Sequence, residues 1–445
     1  MFNTLLNRLL HKGKAAPPAP IVIAAPAAST NPARRPIVER APAAAPIGVG
    51  ARRPLVSAQG TLAGFEFHAG ALDPRRLRGS EDAAVAAAYA GNVLGAMRLC
   101  TSQGLSALAE LPVAWLARCA DDKTFGSGMH LLLRIDPAHD TPAAVIEIAQ
   151  RLRAAGASVG WDPLASESMA LAEAGKPDFM PLRAPPTRDD LQAWRGAIGA
   201  ATERCPGVPV LILDLPGVET LEAVLGPGVL MAACNLAAVQ APAKVQALPA
   251  QAQRLLRLLD RLLHDDENAA VVDEIKADAA LSLRLLHYLN SAGASPGREL
   301  DSIEQAVLVL GRDKLYHWLA QMLVRMSPPR PASEALQALA LARARMLESL
   351  GRAEGVQNPG SLYLLGLASM LPPLLQCSLA DAGQALCLPP SAMQALESKA
   401  GPWGAHLLLL DALEANDIAA AAALAAPFGG LDAVFARWTE AWRPR

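Results

Sequence analysis

At about 150 residues per domain, 445 residues make two or three folded units, and a chain that is 52% hydrophobic and 18% charged is too apolar to be wholly disordered. The net charge of −2 excludes a generally basic nucleic-acid binder. That average hides an asymmetry: eight Lys or Arg and one acid between Met1 and Pro54 leave about −9 on the remainder.

The chain opens with MFNTLLNRLLHKGK, where Phe2, Leu5, Leu6, Leu9 and Leu10 recur at helical spacing ahead of His11, Lys12 and Lys14. Residues 1–14 read either as a short frayed helix without a role or as a weak contact with a membrane surface or partner groove. Ala and Pro then supply 20 of the 32 residues from Ala15 to Pro46, which predicts a disordered linker because such a segment buries too little surface to offset its ordering entropy. The tail is bounded at residues 1–52.

Residues 53–243 alternate short apolar runs with helical patterns. The predicted strands are Leu105–Leu108, His130–Ile135, Ala157–Trp161, Phe179–Leu182, Val208–Leu213 and Val229–Ala233. Between them Thr141–Ala155, Leu164–Ala174, Arg188–Arg204 and Val218–Leu225 space their apolar residues as helices do. This alternation predicts an α/β unit with a parallel sheet, open or closed into a barrel. Pro242 and small neighbours in Gln240–Gln246 mark a boundary. From residue 244 to 445 the pattern is all helical: leucine-rich stretches at Leu255–Leu263 and Leu281–Leu289, then Ala335–Leu350, Leu362–Leu371 and Ala405–Ala415. Ser327-Pro-Pro-Arg-Pro331 breaks this region, and Ser333 is the expected N-cap of the helix that follows.

The two long uncharged stretches, Ala223–Ala243 and Gly355–Ala380, contain Gly, Pro and Asn and read as globular cores rather than membrane spans. Six scattered cysteines with no C-x-x-C pair point to a reducing, cytoplasmic compartment. There is no Walker loop, dinucleotide fingerprint, nucleophile elbow or H-E-x-x-H. His264-Asp265 is a literal HD dipeptide, but it falls at the polar end of a leucine-rich helix and reads as a solvated turn, as does Asp121-Asp122. His287 and Tyr288 read as helix-boundary residues.

Leu248-Pro249, Ile275, Asp278, Leu281, Arg284-Leu285-Leu286, Asn290-Ser291, Ser302-Ile303, Ala306 and Leu310-Gly311 follow a pattern that resembles the HDOD domain, with Ala279 in place of its usual Pro. The resemblance covers at least Leu248–Leu319. It implies an all-helical bundle related to HD phosphohydrolases without their metal site. At Gly366-Leu-Ala-Ser369-Met370-Leu-Pro372, Ser369 and Met370 would stand at the His and Asp positions, and neither supplies a hard, charged ligand. Asn290 and Gly311 each end a helix in this reading. Arg284 is either a partner contact or, the favoured choice, an internal strut bonded to a loop carbonyl, Asp278 or Asp301.

Residues 53–243 resemble a degenerate EAL domain, the phosphodiesterase fold for cyclic di-GMP. Arg53-Pro-Leu-Val-Ser through Gly64-Phe-Glu66 looks like that domain's opening, with Glu66 on a metal-binding position and Gly70 replacing a phosphate-binding Arg. Arg134 replaces a second acid. Asp162-Pro163 keeps one of an aspartate pair, and Pro181 stands at the catalytic Lys. Gly217-Val-Glu219-Thr220 keeps a turn whose preceding Glu is now Pro216. A two-metal mechanism needs both ions, so the resemblance implies that activity, metal and cofactor are lost. Glu66, Asp162 and Glu219 are vestigial on this reading. A catalytically inactive signalling protein acting through protein contacts of its HDOD half follows as the leading expectation. A non-hydrolysing cyclic di-GMP receptor and a weak phosphodiesterase are the alternatives.

Overall fold

The computed structural model describes residues 52–68, 83–119, 124–163, 171, 175–183, 190–237, 246–264, 267–290, 302–386, 388–415 and 417–443. The expectations for residues 1–51, Gly70, Asp121-Asp122, Ser291 and Asp301, and for nearly all of Leu164–Ala174 and Gln240–Gln246, lie outside the described residues.

The first half is β1 (Arg52–Ser57), β2 (Leu62–Phe67), α1 (Ala83–Ser102), β3 (Ser106–Pro112), α2 (Val113–Arg118), β4 (Met129–Arg134), α3 (Pro142–Ala154), β5 (Ser158–Gly160), β6 (Met180–Leu182), α4 (Leu191–Arg204), β7 (Val210–Leu215), α5 (Val218–Val224) and β8 (Val229–Cys234). The sheet order is β5-β4-β3-β2-β1-β8-β7-β6, with β1 antiparallel to both neighbours and the other pairs parallel. The two ends meet at a parallel bridge from Gly160 to Phe179, so the sheet is a nearly closed eight-stranded barrel. Both faces of such a barrel strand, inner and outer, are buried, which is why its sequence reads as a continuous apolar run. Alternate residues point inward: Leu55, Leu108, Leu132, Phe179, Leu211, Leu213, Met231 and Ala233 fill the interior as one cluster. Gly160 is required there, since a Cβ would sit 2.3 Å from the Phe179 ring. The β1–β2 hairpin and α1 were not among the elements predicted from periodicity. Leu62-Ala-Gly-Phe-Glu-Phe67 offers its alternation around a glycine, and α1 is so rich in alanine that its apolar face has little contrast.

The second half is helical throughout its described residues: α6 (Ala250–Leu263), α7 (Asn268–Lys276), α8 (Ala279–Asn290), α9 (Ile303–Val324), α10 (Ser333–Glu354), α11 (Pro359–Ala368), α12 (Leu371–Leu375), α13 (Leu379–Ala385), α14 (Pro390–Ser398), α15 (Gly404–Glu414), α16 (Ile418–Ala425) and α17 (Leu431–Ala441). The leucines of α6 share one face, and Leu255, Leu256, Leu258, Leu259 and Leu262 are all buried. Gly311 divides α9: its φ of 73° and ψ of 162° break the helix there, in a backbone region open to glycine alone. Among the described residues no single helix is long and apolar enough to cross a membrane.

Several contacts join the barrel to the helices. Arg330 makes a bidentate pair with Glu222 of α5 at 2.7 Å on each arm. The Ala332 N–H donates to the Gly60 carbonyl at 3.3 Å, and the Leu62 N–H donates to the Glu334 carboxylate at 2.8 Å. Phe65 of β2 meets Trp442 edge to face with centroids 5.0 Å apart. This junction explains why Ser333 is not the N-cap. Ala332 occupies that place at φ 70°, and Ser333 lies in the first turn, where its hydroxyl donates to the Pro328 carbonyl and accepts from the Arg330 N–H.

Candidate functional site

Parallel barrels present side chains at the C-terminal ends of their strands, and this mouth is where chemistry would be placed. β1 runs against its neighbours, so its N-terminal end reaches the same mouth, with Arg53 opposite Glu66 in the β1–β2 register. The inward alternation that places Leu108, Leu132 and Leu55 in the interior places Glu110, Arg134 and Arg53 one step nearer the mouth. Arg183 follows β6 directly. Asp214 arrives differently: it has φ 62° at a register shift in β7, where Ile212 pairs with Ala232 but Leu215 pairs with Cys234. The extra residue is a bulge that re-aims the side chain.

These six residues form an alternating chain of charge around the mouth. The Glu66 carboxylate accepts from Arg53, whose other arm reaches Asp214 at 2.8 Å. Asp214 also accepts from Arg183 at 3.2 Å, Arg183 donates to Glu110, and Glu110 accepts from Arg134 at 3.0 Å. Three carboxylates and three guanidiniums thus neutralise one another. Burial alone would raise the Glu66 pKa, but Arg53 and His68 outweigh it and hold the carboxyl below its ordinary value. Burial alone would lower the Arg53 pKa, and Glu66 with Asp214 more than offsets it. His68 lies 3.6 Å from Glu66, yet burial, aided by Arg53, keeps its imidazole pKa below the usual range.

Of the positions singled out from sequence, Glu66 is the buried end of this chain and Arg134 its exposed end, and Asp162 is exposed two residues beyond β5. Glu219, at the start of α5, is 3.7 Å from Arg330 and belongs to the junction with the helices. Glu110 and Asp214 were missed. Glu110 was legible, being two residues from inward Leu108. Asp214 was not, because the bulge breaks the alternation.

In the helical half, Ser369 ends α11 with its hydroxyl donating to the Gly366 carbonyl at 2.6 Å, and Met370 is fully buried. Ile275, Leu281, Leu285, Ile303 and Ala306 are core residues, and Asn290 is exposed at the end of α8. Asp278 caps α8, accepting from the Leu281 N–H at 3.0 Å, and pairs with Arg254 at 3.1 Å. The strut reading of Arg284 therefore loses its Asp278 partner: Arg284 is exposed and lines a groove between α8 and α9. His264 is likewise exposed, with its Nδ1 against the Asp260 carbonyl oxygen at 3.0 Å. One grouping was not foreseen. Asp313, His317 and Glu348 bring ligand-type atoms within 4.8 Å of one another. Glu348 is engaged by His317 at 3.1 Å and Arg352 at 2.9 Å, and although burial lowers the His317 pKa, Glu348 raises it further, so that the trio is satisfied as an ion-pair cluster.

The HDOD domain family model matches residues 246–386, so the helical half contains an HDOD domain spanning α6 to α13, with α14 to α17 beyond it. YuxH, an uncharacterised protein of Bacillus subtilis (strain 168), is 27% identical over 163 residues, 36% of this chain and 40% of YuxH. The chain thus spans less than half the length of that curated relative. Among solved structures, the EAL domain of Xanthomonas citri FimX in complex with c-di-GMP is 11% identical, with 43% of this chain and 87% of that one covered and a TM-score of 0.35. An HDOD domain protein of unknown function from Geobacter sulfurreducens is 18% identical, covering 39% of this chain and 72% of its own, with a TM-score of 0.27.

Proposed function

We propose that this chain is a catalytically silent, cytoplasmic signalling protein that works through protein contacts of its HDOD domain. The pairing of an EAL-like barrel with an HDOD domain suggests a place in cyclic di-GMP signalling. The observation that supports silence is the alternating charge chain. A divalent ion needs carboxylates whose lone pairs are free and whose surroundings are negative. Here Glu66, Glu110 and Asp214 each accept from guanidiniums, and Arg53 stands between two of them. Such a donor set does not fit a pair of divalent ions. In the helical half, Ser369 and Met370 supply no charged ligand. The test is turnover: purified protein with Mg²⁺ or Mn²⁺ should release no linear product from cyclic di-GMP above a buffer blank, and turnover abolished by Glu66→Ala would overturn the reading.

A second reading, a cyclic di-GMP receptor without turnover, draws on Arg134 and Arg183, which are about half exposed at the mouth. Calorimetry with the dinucleotide separates the two: saturable heat lost in Arg183→Ala favours the receptor.

A further inference from the structure

We infer that the groove between α8 and α9 is a docking site for an acidic amphipathic segment of a partner protein. This rests on the protein-contact reading above and names the surface and the chemistry of what it takes. The groove has a volume of about 760 Å³. Its apolar wall is Leu283, 70% exposed, Tyr288, 43% exposed, and Met322, with Tyr288 and the buried Trp318 in a tilted ring pair at 6.1 Å. Leaving a leucine and a tyrosine this open beside each other costs hydration free energy that a bound apolar side chain would recover.

Charge selects the occupant. Arg284, His287 and Arg325 line the groove together with the apolar residues, and no acid among the described residues does. Cations of the adjoining helices have acids of their own: Arg254 of α6 pairs with Asp278 at 3.1 Å, and Lys276 of α7 pairs with Glu304. Neither Arg284 nor Arg325 has a carboxylate partner among the described residues. An apolar trough with unneutralised guanidiniums at its edge is complementary to a helix or strand that alternates large apolar side chains with Asp or Glu. Concavity distinguishes this from a lipid surface, which a protruding apolar ridge would enter more readily than a trough.

The test uses the full chain and labelled synthetic four-turn peptides read by fluorescence anisotropy. One carries leucines at i, i+3, i+4 and i+7 flanked by glutamates. A second replaces the glutamates by lysines, and a third replaces the leucines by serines. The acidic amphipathic peptide should bind at least about ten-fold tighter than either comparator. Arg284→Glu with Arg325→Glu should reverse the charge preference, and Leu283→Asp should weaken binding about ten-fold. Thermal melts should not move, because all three side chains are exposed. Equal binding of the acidic and basic peptides would overturn the inference, as would a charge preference that survives the double reversal. Self-association lost in Leu283→Asp would assign the groove to a second copy. Sedimentation with phosphatidylglycerol vesicles lost in the double variant would assign it to a membrane, and peptide binding seen only after removal of residues 1–45 would assign it to this chain's own start. Each of these also overturns it. Cyclic di-GMP turnover would remove the proposed function without altering peptide binding, so the two failures are distinguishable.

Discussion

Replacing Arg53 by Met isolates the buried end of the charge chain. Glu66 is 6% exposed and Arg53 is 13% exposed, so Arg53→Met leaves a carboxylate in the barrel wall with only His68, at 3.6 Å, beside it. Breaking a buried pair from one side costs about 3–5 kcal/mol. Glu66→Met should cost less, about 1–2 kcal/mol, because Arg53 keeps Asp214 at 2.8 Å and that acid is 37% exposed. The double variant, with similar volume and no buried charge, should lie within about 2 kcal/mol of the parent. The pH dependence gives a second readout. The folded-state pKa of Glu66 lies below the ordinary 4.5, so its contribution is fully present above that value and is lost as pH falls through the folded pKa. In Arg53→Met burial is left to dominate, the pKa rises, and the variant should instead gain relative stability as pH falls. Urea denaturation at pH 7 and pH 4 measures both effects. Equal and additive single losses, or a pH dependence that Arg53→Met leaves unaltered, would refute the network.

Gly311→Ala should cost about 1–3 kcal/mol from backbone strain alone, since nothing lies within 4 Å of its added Cβ, and a thermal melt equal to the parent's would refute the kink. Arg330→Ala should lower stability by about 1–3 kcal/mol through the lost bidentate pair, and the loss should be largely non-additive with Glu222→Gln in a double-mutant cycle. Additive losses there would remove Arg330 as a tie between barrel and helices.

The architecture was legible where periodicity was strong. The apolar runs of β4, β7 and β8 follow from strands buried on both faces, and the leucine faces of α6 and α8 follow from one buried side at a helical repeat. Gly311 was legible as a helix end: one helix of α9 stops there and a second begins beyond it. The hairpin and α1 escaped because glycine and alanine blur the contrast between faces. The site was half legible. Glu66 and Arg134 stand in recognisable strand positions, yet that they join one network through Arg53, Asp214, Arg183 and Glu110 depends on the curvature of the barrel and on one bulge. Ser333 is not the cap because Ala332 takes that place, its N–H bonded to the Gly60 carbonyl of the barrel while the Ser333 N–H donates to the Arg330 carbonyl. Of the partners expected for Arg284 as a strut, Asp278 is paired with Arg254 on a neighbouring helix, and the loop and Asp301 lie outside the described residues.

The most direct measurement is Mn²⁺ binding to the full chain, followed by electron paramagnetic resonance of the free ion at neutral pH, in the parent and in Glu66→Ala. With the mouth carboxylates neutralised by Arg53, Arg134 and Arg183, the two proteins should leave the same amount of free ion across the titration. Stoichiometric uptake by the parent that disappears in Glu66→Ala would contradict the neutral-mouth account.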